Sequence, residues 1–506
     1  MSTETEIKLS LSARVASELA RHPLLADLKP HRQLLINTYY DTADSRLRKE
    51  RIAVRYRQQG RDCLFAVKTA AQLSGGLAQR REWEVRGTPG TFDFSHVDDG
   101  RVRAVLESLR DQLQPLFTTR FTRLAWLFEP RLGARIEVAL DRGWIEAAGR
   151  RQLIREVELE LCEGTVSDLF DLASTLQATL PLHPEVSSKS ERACRLLADL
   201  PMVAGKAMPV AVDAGLSSIA AFRLVALACV NHLQRNEQGV LQSDSPEFVH
   251  QARVAIRRLR SAIRVWQRHL PEAFVARFDP VWRELAQELG DARNWDVFLA
   301  GGVPALADAL PEHVAVEQLR NYAQRRAGSC RRAARRALKA AAYSRLLVDF
   351  IAAVVALPEV DAGQVGTLLP GWLDKCSKRV SQRAADALDS GEDAARHRLR
   401  LAFKQLRYAL EFFSSSFAAG PVLEAYHQSV TDLQELLGSQ NDLAVATQLS
   451  TVALPAAKAA PIVGWLATQS ESLLPELATS LAGFRQQPVP WHEPLPGARP
   501  AASSGV

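Results

Sequence analysis

The first strand-like stretch of the chain alternates charged with uncharged residues. Glu4, Glu6 and Lys8 are separated by Thr5 and Ile7. Alternate residues of a β-strand point to the same face, so this spacing predicts two carboxylates and one ammonium side by side. Carboxylate oxygens are ligands that Mg²⁺ prefers, and an ammonium beside them suits an anionic ligand. A solvent-exposed strand edge also carries mixed charges, and for this stretch taken alone it is the favoured explanation.

The same alternation recurs through the first part of the chain. Charged residues share a strand face in four further groups: Arg55 and Arg57; Arg80, Glu82 and Glu84; Arg135, Glu137 and Asp141; and Glu156, Glu158 and Glu160. Carboxylates in a row on one face repel one another unless cations lie beside them. A closed sheet meets this requirement, because charged faces can line a lumen while apolar faces pack under helices. The pattern therefore predicts a barrel with a charged interior.

These groups occur in a fixed order with several further motifs. The set is Glu4-x-Glu6-x-Lys8, Tyr39-Tyr40-Asp41-Thr42, Arg55-x-Arg57, Lys68, Arg80-x-Glu82, Ala139-Leu140-Asp141, Glu156-x-Glu158-x-Glu160 and Ser188-Lys189-Ser190. It resembles the CYTH superfamily, whose members are the triphosphate tunnel metalloenzymes. The resemblance implies an eight-stranded antiparallel tunnel that binds triphosphate together with Mg²⁺ or Mn²⁺.

The resemblance also implies roles for individual residues. The residues expected to hold the metal are Glu4, Glu6, Glu158 and Glu160. The expected phosphate-binding cations are Lys8, Arg55, Arg57, Lys68, Arg80, Arg123 and Lys189. Glu82, Glu137 and Asp141 are expected to position a second metal or the attacking water, and Lys8 is also placed in the catalytic set. Arg120 and Arg123 lie close together, and the sequence leaves open which of them points inward.

The second half of the chain follows a helical period and contains a repeat. The first basic stripe is His250, Arg253, Arg257, Arg260 and Arg264, and the second is His397, Arg400, Lys404 and Arg407. Residues spaced by three and four lie on one face of a helix. Like charges in a stripe destabilise an isolated helix, and neither stripe contains an acid before Glu411. The stripes therefore predict an anion-binding surface, with a solvated face as the alternative. A further basic surface, from Arg331 to Lys339, spreads round more of its helix.

Both repeats end alike, with Leu289-Gly290 before Arg293-Asn294 and Leu437-Gly438 before Asn441-Asp442. Together with the stripes, these endings resemble the CHAD domain, the conserved-histidine α-helical domain. The resemblance runs from Gly215 to Arg485 and implies a helical module that binds inorganic polyphosphate. We assign His250 and His397 to anion contacts, because no carboxylate or second histidine lies at metal-ligand spacing on those helices.

The bulk properties limit the remaining possibilities. A chain of 506 residues is too long for one ordinary core, so at least two domains are expected. The net charge of +6 is too mild to indicate nucleic acid as a partner. Six cysteines with no CxxC pair argue against a disulfide scaffold or a zinc ribbon. Neither a signal peptide nor a membrane-spanning run is recognised, so we expect a cytoplasmic protein without a membrane partner.

We therefore predict an α+β multidomain protein with an N-terminal eight-stranded antiparallel β tunnel, flanked by helices, and a C-terminal all-α bundle of two repeats. The expected bounds are 1–200 for the tunnel, 201–213 for a linker, 214–485 for the helical domain and 486–506 for a disordered proline-rich tail. The predicted activity is Mg²⁺- or Mn²⁺-dependent hydrolysis of inorganic triphosphate to pyrophosphate and phosphate, with polyphosphate bound by the helices. Three alternatives remain: a thiamine or nucleotide triphosphatase, an adenylate cyclase of the same fold, or a non-catalytic polyphosphate-binding protein.

Overall fold

A computed structural model describes residues 2–69, 72–74, 77–199, 201–359, 363–417 and 420–492. The chain divides into two units, Met1–Val203 with Lys339–Ala356, and Ala204–Leu338 with Leu357–Val506. The first boundary lies close to the one expected from the sequence. The later segment that joins the first unit was not expected. Each unit is described by itself below.

The alternating stretches of the first unit form antiparallel strands. In chain order these are β1 (Ser2–Ser10), β2 (His31–Asp41), β3 (Ile52–Gln59), β4 (Asp62–Thr69), β5 (Gln72–Ser74), β6 (Leu77–Arg86), β7 (Gln114–Arg131), β8 (Ala134–Ala147), β9 (Arg150–Glu163) and β10 (His183–Pro184). The sheet closes in the order β1, β9, β8, β7, β2, β3, β4, β6, because β6 pairs back with β1. The short strands β5 and β10 extend β6 and β1. The predicted eight-stranded antiparallel tunnel is confirmed.

Helices account for most of the remaining described residues. Those that precede the boundary are α1 (Ala13–Leu19), α2 (Pro23–Ala26), α3 (Arg46–Lys49), α4 (Gly100–Leu109), α5 (Val166–Thr179) and α6 (Lys189–Ala198). Those that follow it are α7 (Ser218–Gln242), α8 (Pro246–Val265), α9 (Glu272–Val297), α10 (Val303–Ala309), α11 (Val314–Lys339), α12 (Ala341–Val355), α13 (Val365–Ser390), α14 (Asp393–Phe412), α15 (Pro421–Ala453), α16 (Ala456–Ser472) and α17 (Leu474–Arg485). The predicted all-α second part is confirmed, apart from the placement of α12.

Helix α12 is part of the first unit because its apolar face packs on the barrel side. It contacts α5 and β10. The Ser344 hydroxyl lies 2.7 Å from His183 Nδ1, and Gln177 Nε2 donates to the Ser344 carbonyl at 3.3 Å. Leu347 and Ile351 are completely buried. A chain that ended at residue 200 would lack this cover, so the experiments proposed below use the full-length protein.

The second unit contains two equivalent groups of helices. Helix α8 packs between α7 and α9, and α14 packs in the same way between α13 and α15. Helices α8 and α14 also contact each other, and the core beneath them includes Trp266, Phe222 and Phe412. Because α8 and α14 carry the two basic stripes, the packing brings the stripes of both repeats together.

Part of the segment that the sequence predicts to be disordered has a defined structure. Residues 490–492 form a 3₁₀ turn in the segment expected to be disordered from residue 486. Trp491 is 1% exposed, its ring lies 5.3 Å from that of Tyr426, and its indole N–H donates to Asp374 at 2.8 Å. A large aromatic side chain with a polar partner is enough to fix this turn. The rest of the predicted tail, residues 493–506, lies outside the described residues.

None of the helices in the described ranges combines the length and the apolar character needed to cross a bilayer.

Candidate functional site

The predicted tunnel residues all face the barrel lumen. Side chains that alternate along β1, β3, β4, β6, β8 and β9 point inward, as the sequence pattern requires. Contacts of opposite charge join the residues of this set, with Glu160 as the exception discussed below. The lumen is therefore a network of compensated charges and not a solvated strand edge.

A row of three carboxylates crosses one level of the lumen. Glu6 of β1 lies directly opposite Glu160 of β9, and Glu160 lies directly opposite Glu137 of β8. Within the described part of the chain, no ion pair reaches Glu160. Burial, together with the nearby Glu4 and Glu6, raises the pKa of Glu160 to about 7. Like charges directly opposite one another destabilise a sheet, and Glu160 is the member of this row that no cation of the described residues compensates.

Glu4 and Glu6 are held in place from the neighbouring strands. Arg80 Nε donates to Glu4 at 2.6 Å, and Arg80 Nη2 donates to Glu6 at 3.1 Å. Lys68 Nζ lies 3.0 Å from Glu4. Burial opposes ionisation of Glu4, but Lys68 and Arg80 outweigh it and hold the pKa of this carboxyl well below its usual range. Glu4 is therefore an anion at any physiological pH.

A second level of the lumen is organised around Lys189. Ser188 caps α6 in a capping box with Glu191, which places Lys189 in the first turn of the helix. The Lys189 ammonium lies 2.7 Å from Asp141, 2.5 Å from Glu156 and 2.9 Å from Glu158. These three carboxylates are close enough together to share a metal ion. The ammonium already contacts all three of them, so the row at Glu160 is the better candidate for a metal site.

The structure decides between the two arginines that the sequence left open. Arg123 forms a two-pronged pair with Asp141, with both nitrogen–oxygen distances at 2.8 Å, and it also contacts Glu158. Arg120 is instead exposed on the outer face of β7, opposite Trp144. Asp141 is completely buried between Arg123 and Lys189. Asp141 is therefore suited to orienting these two cations rather than to binding water itself.

The remaining predicted cations form one wall of the lumen. Lys68 and Arg55 both contact Glu82, at 2.8 Å and 3.2 Å. Arg57 lies 3.6 Å from Glu84 and donates through Nε to the side-chain oxygen of Asn37 at 3.2 Å. Lys8 lies 3.5 Å from Glu158 and 3.7 Å from Glu6, between the two levels described above. The wall supplies several hydrogen-bond donors along the length of the lumen.

Sequence reasoning missed several lumen residues. Glu156 was grouped with its neighbours but given no role, and it contacts both Lys189 and Arg192. Arg192 follows Lys189 by one helical turn, and that spacing was the available signal. Asn37, which is buried and holds Arg57, is an uncharged residue in a strand and gave no signal.

One end of the lumen is filled by apolar side chains. Buried Tyr39, Phe121, Ile145 and Ile154 pack together against Ala193 of α6. These side chains lie on the same inward faces as the charged residues, further along the strands. The charged part of the lumen is thus closed off on this side.

The two basic stripes of the second unit form a shared cluster. Arg257 Nε of α8 donates to the Tyr408 hydroxyl of α14 at 2.6 Å, and Arg258 pairs with Glu411. These contacts bring Arg253 and Arg257 alongside Arg400 and Lys404, and we call these four residues the basic cluster. The stripes of the two repeats therefore adjoin.

The basic cluster differs from the rest of the stripes in its pairing. Arg260 is held by both oxygens of Asp279, at 2.9 Å and 3.3 Å, and Arg407 lies 3.5 Å from Glu411. Among the residues that the structure describes, no carboxylate lies within ion-pair distance of the cluster. Arg253 donates to the Gly290 carbonyl at 3.0 Å, and the buried Nε of Arg400 has no hydrogen-bond partner there. Excess positive charge is thus concentrated in the basic cluster.

The two predicted histidines lie beside this cluster in different surroundings. Burial and the neighbouring Arg293 lower the pKa of His250 to about 4, so this ring is neutral near pH 7. His397 is exposed, and its Nδ1 lies 3.0 Å from Asn441 Oδ1. Asn441 belongs to the motif that ends the second repeat, so this motif positions the histidine.

The basic surface on α11 is largely neutralised. Arg331 pairs with Asp296, and Arg335 contacts Asp244 at 2.7 Å and the Val240 carbonyl at 3.0 Å. Arg332 and Arg336 remain exposed. This surface therefore carries less uncompensated positive charge than the basic cluster.

Comparison with known proteins places the two units in separate families. The CYTH domain family matches residues 2–194, and the CHAD domain family matches residues 224–451. An inorganic triphosphatase of Haemophilus influenzae is 32% identical over 203 residues, which are 38% of this chain and 54% of that protein. An uncharacterised protein of Mycobacterium tuberculosis is 29% identical over 223 residues, 41% of this chain and 40% of that protein. The matches thus span about half or less of these relatives.

Among solved structures, the CHAD domain from the plant Ricinus communis is 31% identical to the aligned part of this chain, with a TM-score of 0.49. The alignment covers 57% of this chain and 99% of that chain.

Proposed function

This chain carries a CYTH domain followed by a CHAD domain, and we propose that it is a metal-dependent enzyme that hydrolyses inorganic triphosphate in its tunnel and binds inorganic polyphosphate on its helices. The products would be pyrophosphate and phosphate. The similarity to an inorganic triphosphatase supports the triphosphate-hydrolysing activity. The observation that carries the proposal is the carboxylate row at Glu160, a residue that no cation of the described residues compensates, next to a wall of buried arginines and lysines.

The donor set fits a hard divalent cation. Glu4, Glu6 and Glu160 offer carboxylate oxygens at one level of the lumen, with Glu137 opposite, and these ligands suit Mg²⁺ or Mn²⁺. Glu158, which the sequence also suggests as a ligand, contacts Lys8, Arg123 and Lys189, so its oxygens are already engaged. A bound cation would supply charge neutralisation for the phosphate oxygens.

The cations of the lumen would bind and orient the substrate. Triphosphate carries negative charge along its whole length. The lumen offers cations along its own length, and these are Lys8, Arg55, Arg57, Lys68, Arg80, Arg123 and Lys189. Phosphoryl transfer depends mostly on positioning and on stabilising the charge of the transferred group. When the substrate enters, its oxygens would replace the internal carboxylate partners of these side chains, so that few cations need to move.

The attacking water would be oriented by a carboxylate at the acidic level. The side chain of Glu137 is 36% exposed and lies 3.8 Å from Arg123, which makes it our candidate. Glu82, which contacts Lys68 and Arg55, would position the cations of the wall instead. Asp141 would do the same for Arg123 and Lys189.

A phosphate-release assay on the full-length protein tests the tunnel proposal. The substrates compared are inorganic triphosphate, long-chain polyphosphate, ATP and thiamine triphosphate, each with Mg²⁺, with Mn²⁺ and with a chelator. We expect turnover of triphosphate only with metal. Preferential turnover of ATP or thiamine triphosphate would favour the organic triphosphatase alternative, and stoichiometric binding without turnover would favour a non-catalytic protein.

The polyphosphate proposal for the helices is supported by the charge of the basic cluster. A polyanion releases counterions when it binds cations, so its affinity falls steeply with salt. We expect tight binding of long-chain polyphosphate at low salt through Arg253, Arg257, Arg400 and Lys404. The site would be extended at its edges by the paired Arg260 and Arg407, by Arg264, and by the two histidines, His250 and His397.

A further inference from the structure

The basic cluster contains one lysine among arginines, and that lysine is buried. Lys404 is only 8% exposed, and its ammonium has no carboxylate within ion-pair distance among the described residues. In the first repeat, the corresponding position of the stripe is occupied by Arg257. Arginine stays charged under all physiological conditions, whereas a buried lysine can lose its proton.

The charges that face Lys404 come from three helices. Arg253 and Arg257 lie on α8, Arg400 lies one turn away on α14, and Asp442 lies on α15. Arg293 of α9 acts on the same cluster through Arg253. Asp442 is exposed, so its effect is screened by solvent, and Asp291 of α9 acts on Arg253 rather than directly on Lys404. The surroundings of Lys404 are therefore strongly positive.

We propose that Lys404 binds a proton when a linear polyphosphate binds, so that binding to the basic cluster is coupled to proton uptake. This inference rests on the proposed polyphosphate function of the helices and adds a regulatory property to it. The phosphate oxygens would supply the negative charge that the cluster lacks, and the ammonium form of Lys404 would then be stabilised by hydrogen bonds to them.

The direction of the pH effect follows from linkage. In the free protein, burial and then Arg257, Arg400 and Arg253 lower the pKa of Lys404 to about 6. A bound polyanion raises this pKa, so below pH 6 both states hold the proton and the affinity is at its maximum. Above pH 6 the free protein loses the proton first, and the affinity falls roughly tenfold per pH unit until the pKa of the bound state is reached. His250, with a pKa of about 4, titrates below this window.

The ligand's own titration has the opposite effect. The terminal groups of a polyphosphate lose protons in the same range, which makes the chain more negative as pH rises. On electrostatic grounds alone, a fixed set of cations would therefore bind the chain as tightly or more tightly at higher pH. A fall in affinity from pH 6 to pH 8 would therefore arise from loss of a proton from the protein and not from titration of the polyphosphate.

The test is isothermal titration calorimetry of the full-length protein with long-chain inorganic polyphosphate at constant salt. A chelator is present so that metal-dependent hydrolysis does not interfere. Titrations in buffers of different ionisation enthalpy count the protons exchanged. At pH 7.5 we expect uptake of roughly one proton, and a fall in affinity of roughly 50-fold from pH 6 to pH 8.

Two substitutions test whether Lys404 is the residue that takes up the proton. Lys404→Met should bind at pH 6 as weakly as the wild type does at pH 8, with little proton uptake. Lys404→Arg restores the residue type of the first repeat and should bind tightly at both pH values, also with little uptake. Lys378→Met, which removes an exposed lysine from α13, should behave like the wild type.

The possible results separate the inference from the proposed function. Wild-type binding without proton uptake, or unchanged uptake in Lys404→Met, overturns the inference and leaves polyphosphate binding in place. Absence of binding at pH 6, where Lys404 is charged, overturns both. If Lys404→Met does not fold, Lys404→Arg decides the inference, because a loss of proton uptake in that variant assigns the proton to Lys404 rather than to the neighbouring His397.

Discussion

The tunnel lumen and the basic cluster both carry buried cations, but they compensate them in opposite ways. In the lumen, Lys189 contacts three carboxylates and Arg123 is held by Asp141 and Glu158. In the basic cluster, the charged groups that act most strongly on Arg253 are Arg257, Arg293 and Arg400, and no carboxylate of the described residues lies within ion-pair distance of Arg253 or Arg400. Burial lowers the pKa of Arg253 to about 10, whereas the carboxylates raise the pKa of Lys189 well above its usual range despite its burial.

This difference indicates what each site requires from its ligand. The lumen is internally neutralised except at Glu160, so it needs one additional cation and a substrate that can exchange for existing carboxylate contacts. The basic cluster is not neutralised, so it needs anions alone. A buried charge without a partner is costly, which is why a polyanion should bind there without help from metal.

The largest expected effect tests the basic cluster. Replacing Arg253, Arg257, Arg400 and Lys404 together by Gln should abolish polyphosphate binding at physiological salt. It should also lower the slope of log affinity against log salt by about 3, since each lost phosphate contact removes about 0.7 from the slope. Fluorescence anisotropy with a labelled polyphosphate at several salt concentrations measures both.

The matched control removes the same charge from the other basic surface. Replacing the four exposed arginines of α11, Arg325, Arg326, Arg332 and Arg336, by Gln should reduce affinity only slightly. If this variant lost binding while the cluster variant kept it, the polyphosphate site would lie on α11 and the contrast between the two regions would be lost.

The next largest effect tests the carboxylate row. Glu6→Gln keeps the shape of the side chain but removes one ligand charge, so triphosphate hydrolysis should fall by at least ~10²-fold, since a bound metal contributes several kcal/mol. Glu163→Gln, at the exposed end of the same sheet, should leave turnover unchanged. Normal turnover in a folded Glu6→Gln protein would contradict the metal assignment.

The alternation of charge was sufficient to predict the tunnel because a strand exposes every second residue to the same environment. Spacing therefore grouped Glu4 with Glu6 and Glu158 with Glu160 on shared strand faces, and the resemblance to the CYTH superfamily implied that these faces line a tunnel. The pairing of these residues was not predictable, because register decides it: Glu160 lies opposite Glu6 and Glu137, while Glu158 lies opposite Lys8. Helix α12 was placed in the second unit because its apolar period does not indicate which surface it covers.

The two helical stripes could likewise be predicted from residue spacing, but the ion pairs that their members form could not. Arg260 and Arg257 are equivalent in the sequence pattern, yet only Arg260 meets a carboxylate, Asp279. That partner lies on the following helix, and its position depends on how the helices pack. The packing of distant helices thus decides which members of a stripe are left without a carboxylate partner.

A smaller effect should follow from removing one cation of the lumen wall. Arg57→Ala should lower kcat/KM for triphosphate by roughly 10- to 100-fold, because a charge-assisted hydrogen bond to phosphate is worth about 1.5–3 kcal/mol. Additional metal should not restore the activity. Arg61→Ala, in the exposed turn between β3 and β4, is the control. Full recovery at high metal concentration would mean that Arg57 acts by supporting Glu84 and not by contacting substrate.

The smallest effect is on stability and concerns Glu160, the lumen carboxylate that has no ion pair among the described residues. The pKa of Glu160 is about 7 in the folded protein and about 4.5 in the unfolded chain, so the unfolded state releases its proton first as pH rises. The free energy of unfolding therefore decreases as pH rises from about 4.5 to 7, by ~3 kcal/mol as an upper bound, and it stays at the lower value above pH 7.

In the presence of a chelator, Glu160→Gln should thus melt several degrees higher than the wild type at pH 8, and the difference should vanish near pH 4.5. Added Mg²⁺ should raise the melting temperature of the wild type more than that of the variant. A lower melting temperature of Glu160→Gln at pH 8 with chelator would mean that the wild-type carboxylate already has a compensating partner, and the row would no longer be the place in the lumen that requires a metal.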